Sequence, residues 1–523
     1  MKTFHMTRRA MLLSAGAFLF AAQTFGVAPA RADQTFVIAK AADPQTLDPA
    51  QTIDNNDWTI TYPIYQRLMK YEVSADGKGL TSVTGDLAKS WKASADGLTW
   101  VFDLAEGNAF SDGAPVDAKA VEYSFRRLFA MGQGPSEAFP KGITVEATGP
   151  LQVTFKLPEP FAPFLYTLAN NGASIVSPAV ETKGGPQGNT WLSGHSDGSG
   201  PFMLESWEKG QSLVLKPNPH YGGKAPSLSS VRVDIIPEAS ARRLKLEAGD
   251  VQIAEGLPND QLDALAQSPT VAVKDFPSLL VTYLYLNNQK APLNDVAVRQ
   301  ALSYSIDYGA IIEGVVGGNA KQMRGPIPDG MWGAKPDVLQ YSMDLDKAKS
   351  LLASAPAISQ PLTLLYSDRD PNWEPIAIAT QAFLGQAGIN VTLEKLANAT
   401  MRERIDKGDF DIAIGNWSPD FADPYMFTNY WFDSSRKGLA GNRSFYSNPK
   451  VDDLLNKAAR STDQAERTAL YGEVQDIVTN EAAYAYLFQK DYRIAMSKAV
   501  TGFVFNPMLQ DIYNIGDITL TAQ

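Results

Sequence analysis

The chain has 523 residues, of which 44% are hydrophobic and 20% charged, and its formal net charge is −11. The composition is that of an ordinary globular protein, and the acidic balance repels phosphate, which argues against nucleic acid and anionic membrane as partners. Cysteine is absent and histidine occurs three times, so disulfides, thiol chemistry and soft-metal sites lack ligands.

The amino terminus opens with Lys2, Arg8 and Arg9, runs through an apolar stretch at 10–22, and ends in Ala30-Arg31-Ala32. Basic, apolar and small-residue regions in that order predict a secretory signal over 1–32. The apolar run is shorter than the roughly 20 residues a membrane-spanning helix needs. Thr7-Arg8-Arg9-Ala10-Met11-Leu12 resembles a twin-arginine signal, although paired arginines also occur in general export signals. Removing 1–32 takes four cations and no anions, which moves the net charge from −11 to near −15. Without a cysteine for lipid attachment, the mature chain is expected free in a Gram-negative periplasm, with no stable membrane anchor. Its length suggests two or three domains.

Further along, strand patterns are read at 35–39, 98–104, 151–157 and 230–236, where β-branched residues partly alternate. Helical periodicity recurs at 117–128, 240–247, 296–315, 346–353, 375–387 and 463–479. Pro and Gly cluster at 132–140, 184–201 and 217–226, which read as loops or boundaries. Between 361 and 417 the order is strand (361–366), helix (375–387), strand (388–393), helix (401–407) and strand (410–417). That alternation predicts a parallel, doubly wound sheet, whose ligands bind beyond the carboxyl ends of its strands. Trp417-Ser418-Pro419-Asp420 stands at such an end.

Gly194-His195-Ser196-Asp197-Gly198 matches the G-x-S-x-G pattern of serine hydrolases, but no apolar strand precedes it and Gly198-Ser199-Gly200-Pro201 breaks any following helix. A periplasmic hydrolase of peptides or esters is therefore kept only as the alternative. No phosphate-cradling G-x-x-x-x-G-K-[ST] loop and no H-E-x-x-H pair is present.

Several longer stretches carry a resemblance. Leu87-Ala88-Lys89-Ser90-Trp91 with Ala95-Asp96-Gly97 is one, and Phe110-Ser111-Asp112-Gly113-Ala114-Pro115-Val116-Asp117-Ala118 is another. Gly198-Ser199-Gly200-Pro201-Phe202, Asn218-Pro219-His220-Tyr221 and Val298-Arg299-Gln300-Ala301-Leu302-Ser303-Tyr304-Ser305-Ile306-Asp307 continue it in order. From Thr46-Leu47-Asp48-Pro49 to about residue 500, the chain resembles the peptide/nickel (family 5) extracellular solute-binding proteins of ABC transporters.

The resemblance implies a periplasmic-binding-protein-like α/β fold (type II, cluster C), with two lobes, a hinge and a smaller inserted lobe. Lobe I would use 33–70, 195–285 and 499–523, lobe II 71–194, and lobe III 286–498, with hinges near Leu286-Asn287-Asn288 and 495–501. It also implies that Asp420 receives a ligand ammonium, Arg369 a ligand carboxylate, and that Trp417 and Ser418 line the cleft. Asn55 lies in the segment expected to add backbone contacts to the ligand. Asp420 could instead cap a turn, and Asp368 and Asp370 could satisfy Arg369 in a surface pair. The implied partners are a small-molecule or short-peptide ligand and an ABC permease with its ATPase subunits. No cofactor, no metal, no nucleic acid and a monomer are expected. Opines, sugars, haem and metal chelates are the other cargoes of such proteins.

Overall fold

The computed structural model describes residues 35–52, 54–74, 79–185, 188–508 and 515–521. The export signal read at 1–32 lies outside them. Among the described residues no helix is long and apolar enough to cross a membrane.

An 11-stranded mixed sheet organises the molecule. At one end Leu362–Ser367 lies between Val391–Leu396 and Ile412–Trp417, parallel to both. At the other end Thr35–Lys40 runs parallel to Ser230–Ile235 and Ile253–Ala254, and Ser212–Pro217 and Phe202–Glu208 complete the edge. The parallel strands are apolar because both faces are covered: Phe36, Ile38 and Ala39 are fully buried, as are Leu364, Leu365, Ile412, Ala413 and Ile414.

Two long antiparallel strands, Val271–Leu286 and Tyr484–Ser497, join these ends. Their pairing slips between Pro277 and Val281. Side chains supply hydrogen bonds there: the Ser278 hydroxyl donates to the Lys490 carbonyl (2.6 Å), and the Gln489 amide donates to the carbonyls of Ser278 (2.5 Å) and Asp329 (2.8 Å).

Between Thr35–Lys40 and the rest of its end, the chain builds a separate antiparallel sheet. Its order is Ala88–Ala93, Thr99–Leu104, Gln152–Lys156, Thr144–Gly149, and the helix Ala118–Met131 covers it. Asp117 starts that helix by accepting from the Ala120 N–H, and Gly132, left-handed at φ 60°, ends it.

Most expected elements fall within a few residues of their readings, and one helix divides. The stretch 296–315 becomes Val296–Ser305 and Tyr308–Val316, because Ile306 turns extended and Asp307 caps a new start at the Ala310 N–H. The helix Pro449–Arg460, capped by Asn448, and the strand character of Tyr484–Ser497 were not anticipated.

Candidate functional site

The first wall is built from the Thr46-Leu47-Asp48-Pro49 segment. Asp48 is fully buried and takes both terminal nitrogens of Arg127 from the helix Ala118–Met131, one at 2.8 Å. Its carboxylate also accepts from the Ala50 N–H (3.0 Å) and the Gln51 amide (2.8 Å), which fixes the turn leading to Thr52. The Thr52 hydroxyl accepts from the Trp58 indole (2.9 Å) and from Asn171 (3.0 Å).

The opposite wall is the loop after Ile412–Trp417. The Asn170 amide reaches across to the Asp420 carbonyl (2.5 Å), and Phe161 meets Tyr425 edge-on at 5.5 Å. Between the walls lies a cavity of about 820 Å³, whose lining includes Thr52, Trp58, Glu137, Asn170, Asp420 and Tyr430. The Asp420 carboxylate has no hydrogen-bond or ion-pair partner among the described residues. It opens to the water of the cavity but is crowded by protein elsewhere. Burial pushes its carboxyl up to about 6, the nearby Glu137 adds to this, and Arg443 opposes it.

A second, smaller cavity of about 20 Å³ sits at the carboxyl ends of the parallel strands, lined by Arg369, Arg402 and Arg443 with Tyr285, Gly415 and Asn416. Trp417 touches one lining residue of each cavity: its ring lies 5.1 Å from Tyr430 and 5.2 Å from the Arg443 guanidinium. Its indole nitrogen is buried without a hydrogen-bond partner among the described residues.

Asp420 lines the larger cavity and Arg369 the smaller one, while Trp417 touches a lining residue of each and Ser418 is half-buried between Trp417 and Asp420 in the chain. Asn55 stands apart. It is the first residue of the helix Asn55–Thr61, and its neighbours Thr52 and Trp58 face the cavity instead. Asp368 and Asp370 do not pair with Arg369; the Asp370 carboxylate accepts from the Asn372 N–H (2.9 Å). Arg402 and Arg443 were not anticipated. One signal was available for Arg443: residues 437–449 contain no acid, in a chain that is acidic overall.

The serine-hydrolase pattern is not assembled. The Ser196 hydroxyl accepts from the Leu204 N–H (3.1 Å), while the His195 ring stacks on Trp191 with its Nδ1 at the Trp191 carbonyl. Among the described residues no group of three His, Cys, Asp or Glu could hold a metal ion.

Residues 82–438 match the model of the bacterial extracellular solute-binding proteins, family 5 (middle region). The chain is 58% identical over 484 residues to the probable D,D-dipeptide-binding periplasmic protein DdpA of Escherichia coli K12, covering 92% of this chain and 94% of that one. It is 28% identical over 504 residues to the dipeptide-binding protein of the same organism, covering 91% and 93%. Among solved structures, HbpA2 from Haemophilus parasuis superposes with a TM-score of 0.86 at 26% identity, over 93% of this chain and 100% of that one. The ABC transporter-associated periplasmic binding protein DppA from Helicobacter pylori, in complex with the peptide STSA, gives 0.73 at 28%, over 93% and 98%.

Proposed function

The chain belongs to the bacterial extracellular solute-binding proteins, family 5, and we propose that it captures a dipeptide, D,D-dipeptides included, for an ABC importer. The observation that carries this is the pairing of opposite charges across Trp417: an unpartnered carboxylate at Asp420 and a cluster of guanidiniums that includes Arg369. A zwitterion laid along Trp417 would neutralise both ends. The identity to a D,D-dipeptide-binding relative supports the cargo.

In this reading Asp420 takes the ligand ammonium, Arg369 contributes to holding the carboxylate, Trp417 packs against the backbone between them, and Ser418 lines the same wall. The segment from Thr52 through Asn55 to Trp58 closes from the other side. The lobes pivot near 286–288 and 495–501, at the ends of the two long strands that cross between the ends of the sheet. The export signal at 1–32 delivers the protein to a Gram-negative periplasm, where it works as a monomer and passes its cargo to a permease driven by ATPase subunits.

Calorimetry with D-alanyl-D-alanine and L-alanyl-L-alanine tests the proposal. Saturable 1:1 binding of at least one is expected. Heat from neither, with saturable binding of an opine, a sugar, haem or a metal chelate instead, would overturn it.

A further inference from the structure

We propose that a separate groove, built around the buried Arg67, binds a small monocarboxylate that carries an apolar body and a hydrogen-bond donor beside its acid group. The groove holds about 580 Å³, opens to solvent, and is lined from 62–74 and 80–86 with Pro201, Tyr221, Val504, Asn506 and Asp517. None of its lining comes from Ile412–Trp417 or the loop that follows, so it is distinct from the cavities at Asp420 and Arg369 and does not rest on the cargo read there.

The charge of Arg67 carries the argument. The residue is only 4% exposed, yet its Nε and Nη1 have no hydrogen-bond partner, and no carboxylate forms an ion pair with it, among the described residues. The neighbouring Asp86 turns its carboxylate to the Arg67 main-chain N–H (3.0 Å) and to the Gln66 amide (3.1 Å) instead. The guanidinium lies over the Tyr62 ring at 3.7 Å. Burial raises the Tyr62 hydroxyl, so it stays neutral and supplies no counter-ion. A buried cation without an anion is costly, and a guanidinium offers donors in a planar fork matched to a carboxylate.

Gln66 supplies a second, independent contact. It lines the same groove and is 7% exposed. A carboxylate can only accept, so the bond to Asp86 commits the amide NH2 group and leaves Oε1, which is buried without a hydrogen-bond partner among the described residues. A donor next to the ligand's acid, such as the N–H of an acylated amino acid, meets that oxygen. The remaining surface is aromatic and aliphatic, with Tyr65, Tyr71 and Tyr221 facing Val73 and Leu80, two apolar side chains left exposed. Glu72, Asp86 and Asp517 outnumber Arg67 and Lys70 by one around the groove, which turns away ligands of higher negative charge, phosphate included.

The groove is also held in advance. The Leu87 N–H donates to the Arg67 carbonyl (2.9 Å) and the Asp86 N–H to the Leu68 carbonyl (2.9 Å), which fixes the backbone on both sides of the guanidinium. The turn before Asp86 needs Gly85, because a Cβ there would collide with the Ala88 carbonyl. The carboxy-terminal stretch forms the far wall: the Asn506 amide donates to the Leu80 carbonyl (3.2 Å), and a Cβ at Gly79 would collide with the Phe505 carbonyl. Walls fixed in this way spare an entering ligand the cost of ordering them, and the volume lies within the roughly 300–1,000 Å³ of small-ligand sites.

The test is calorimetry with racemic N-acetylphenylalanine, its carboxamide and inorganic phosphate, on wild type, Arg67→Met and Val73→Glu. Wild type should bind the acid saturably and the carboxamide at least about tenfold more weakly, with no saturable heat from phosphate. Arg67→Met should lose at least the same factor for the acid. Because it removes an unpaired buried charge, it should melt no lower than wild type. If Arg67→Met does not fold, Val73→Glu still reports, since it adds a negative charge at an exposed position of the groove. It should weaken the acid about two- to threefold at low salt and leave the carboxamide unchanged. No saturable binding of the acid, equal binding of acid and carboxamide, or phosphate bound as tightly as the acid would overturn the site. So would acid binding that Arg67→Met retains, or that added D-alanyl-D-alanine displaces, since that binding belongs to the cleft at Asp420.

Discussion

Asp420 and Asp423 follow the same strand three residues apart, in opposite electrostatic surroundings. Asp423 is fully buried, receives two nitrogens of Arg467 at 2.7 Å each, and accepts from the Tyr425 N–H at 2.9 Å. Arg467 is completed by the Ala458 carbonyl (2.8 Å) and the Tyr471 hydroxyl (3.1 Å), and lies over the Trp332 ring. Asp420 has none of this and faces the cavity. Asp48 with Arg127 repeats the first pattern, and Arg402 with Arg443 repeats the second. Charges that hold the walls in place find their partners within the chain. Asp420, Arg402 and Arg443, which line the cavities, have no ion-pair partner among the described residues.

The contrast is broken most directly at Arg467. Arg467→Met strands the Asp423 carboxylate in the core and should cost about 3–5 kcal/mol of stability by denaturant unfolding. Replacing both partners, Asp423→Leu with Arg467→Met, should restore much of that loss. A single-variant cost below about 1 kcal/mol would erase the distinction between the two aspartates.

Asp420→Asn should act the other way. Affinity for an ammonium-bearing ligand should fall by about 2–5 kcal/mol in calorimetry, with no loss of stability in the empty protein. The sign follows from linkage. The carboxyl is raised from 3.8 to about 6 in the folded state, so its ionised form opposes folding. That cost is absent below the unfolded value of 3.8, grows as pH rises to about 6, and is fully present above it. At pH 7 the empty Asp420→Asn variant should therefore melt no lower than wild type. A clear drop in its melting temperature would give Asp420 the same structural role as Asp423.

The smallest effect is on pH. With Asp420 titrating at about 6 in the empty cleft, the ionised fraction falls about tenfold from well above that value to one unit below it. Ligand affinity should weaken by about the same factor between pH 7 and 5 and should stop varying in Asp420→Asn. A pH-independent wild type would remove the ammonium from the account.

The strand–helix alternation from 361 to 417 was legible because Gly388, left-handed at φ 85°, and the apolar strands punctuate it plainly. Trp417 and Asp420 followed from the rule that ligands meet the carboxyl ends of such strands. Arg402 was hidden in Asn398–Asp406, whose Arg-Glu-Arg pattern reads as an ordinary solvated helix. Arg443 comes from a loop 26 residues beyond Trp417, and only the fold brings the two together. The strand Tyr484–Ser497 escaped notice because half-buried Lys490, Asp491, Tyr492 and Arg493 interrupt its apolar run, at the stretch where it crosses between the ends of the sheet.

That crossing bears on how such proteins can be recombined. Val271–Leu286 belongs to one end of the sheet through Val271–Pro277 and to the other through its pairing with Ile412–Trp417, and Tyr484–Ser497 accompanies it throughout. The ends are therefore not modules on a tether. A chimera joined only at 285/286 would pair a strand from one parent with a partner from the other along its whole length. Exchange that preserves the register must carry Val271–Leu286 and Tyr484–Ser497 from the same parent, so the two strands form one heritable unit and the ends of the sheet on either side are its appendages.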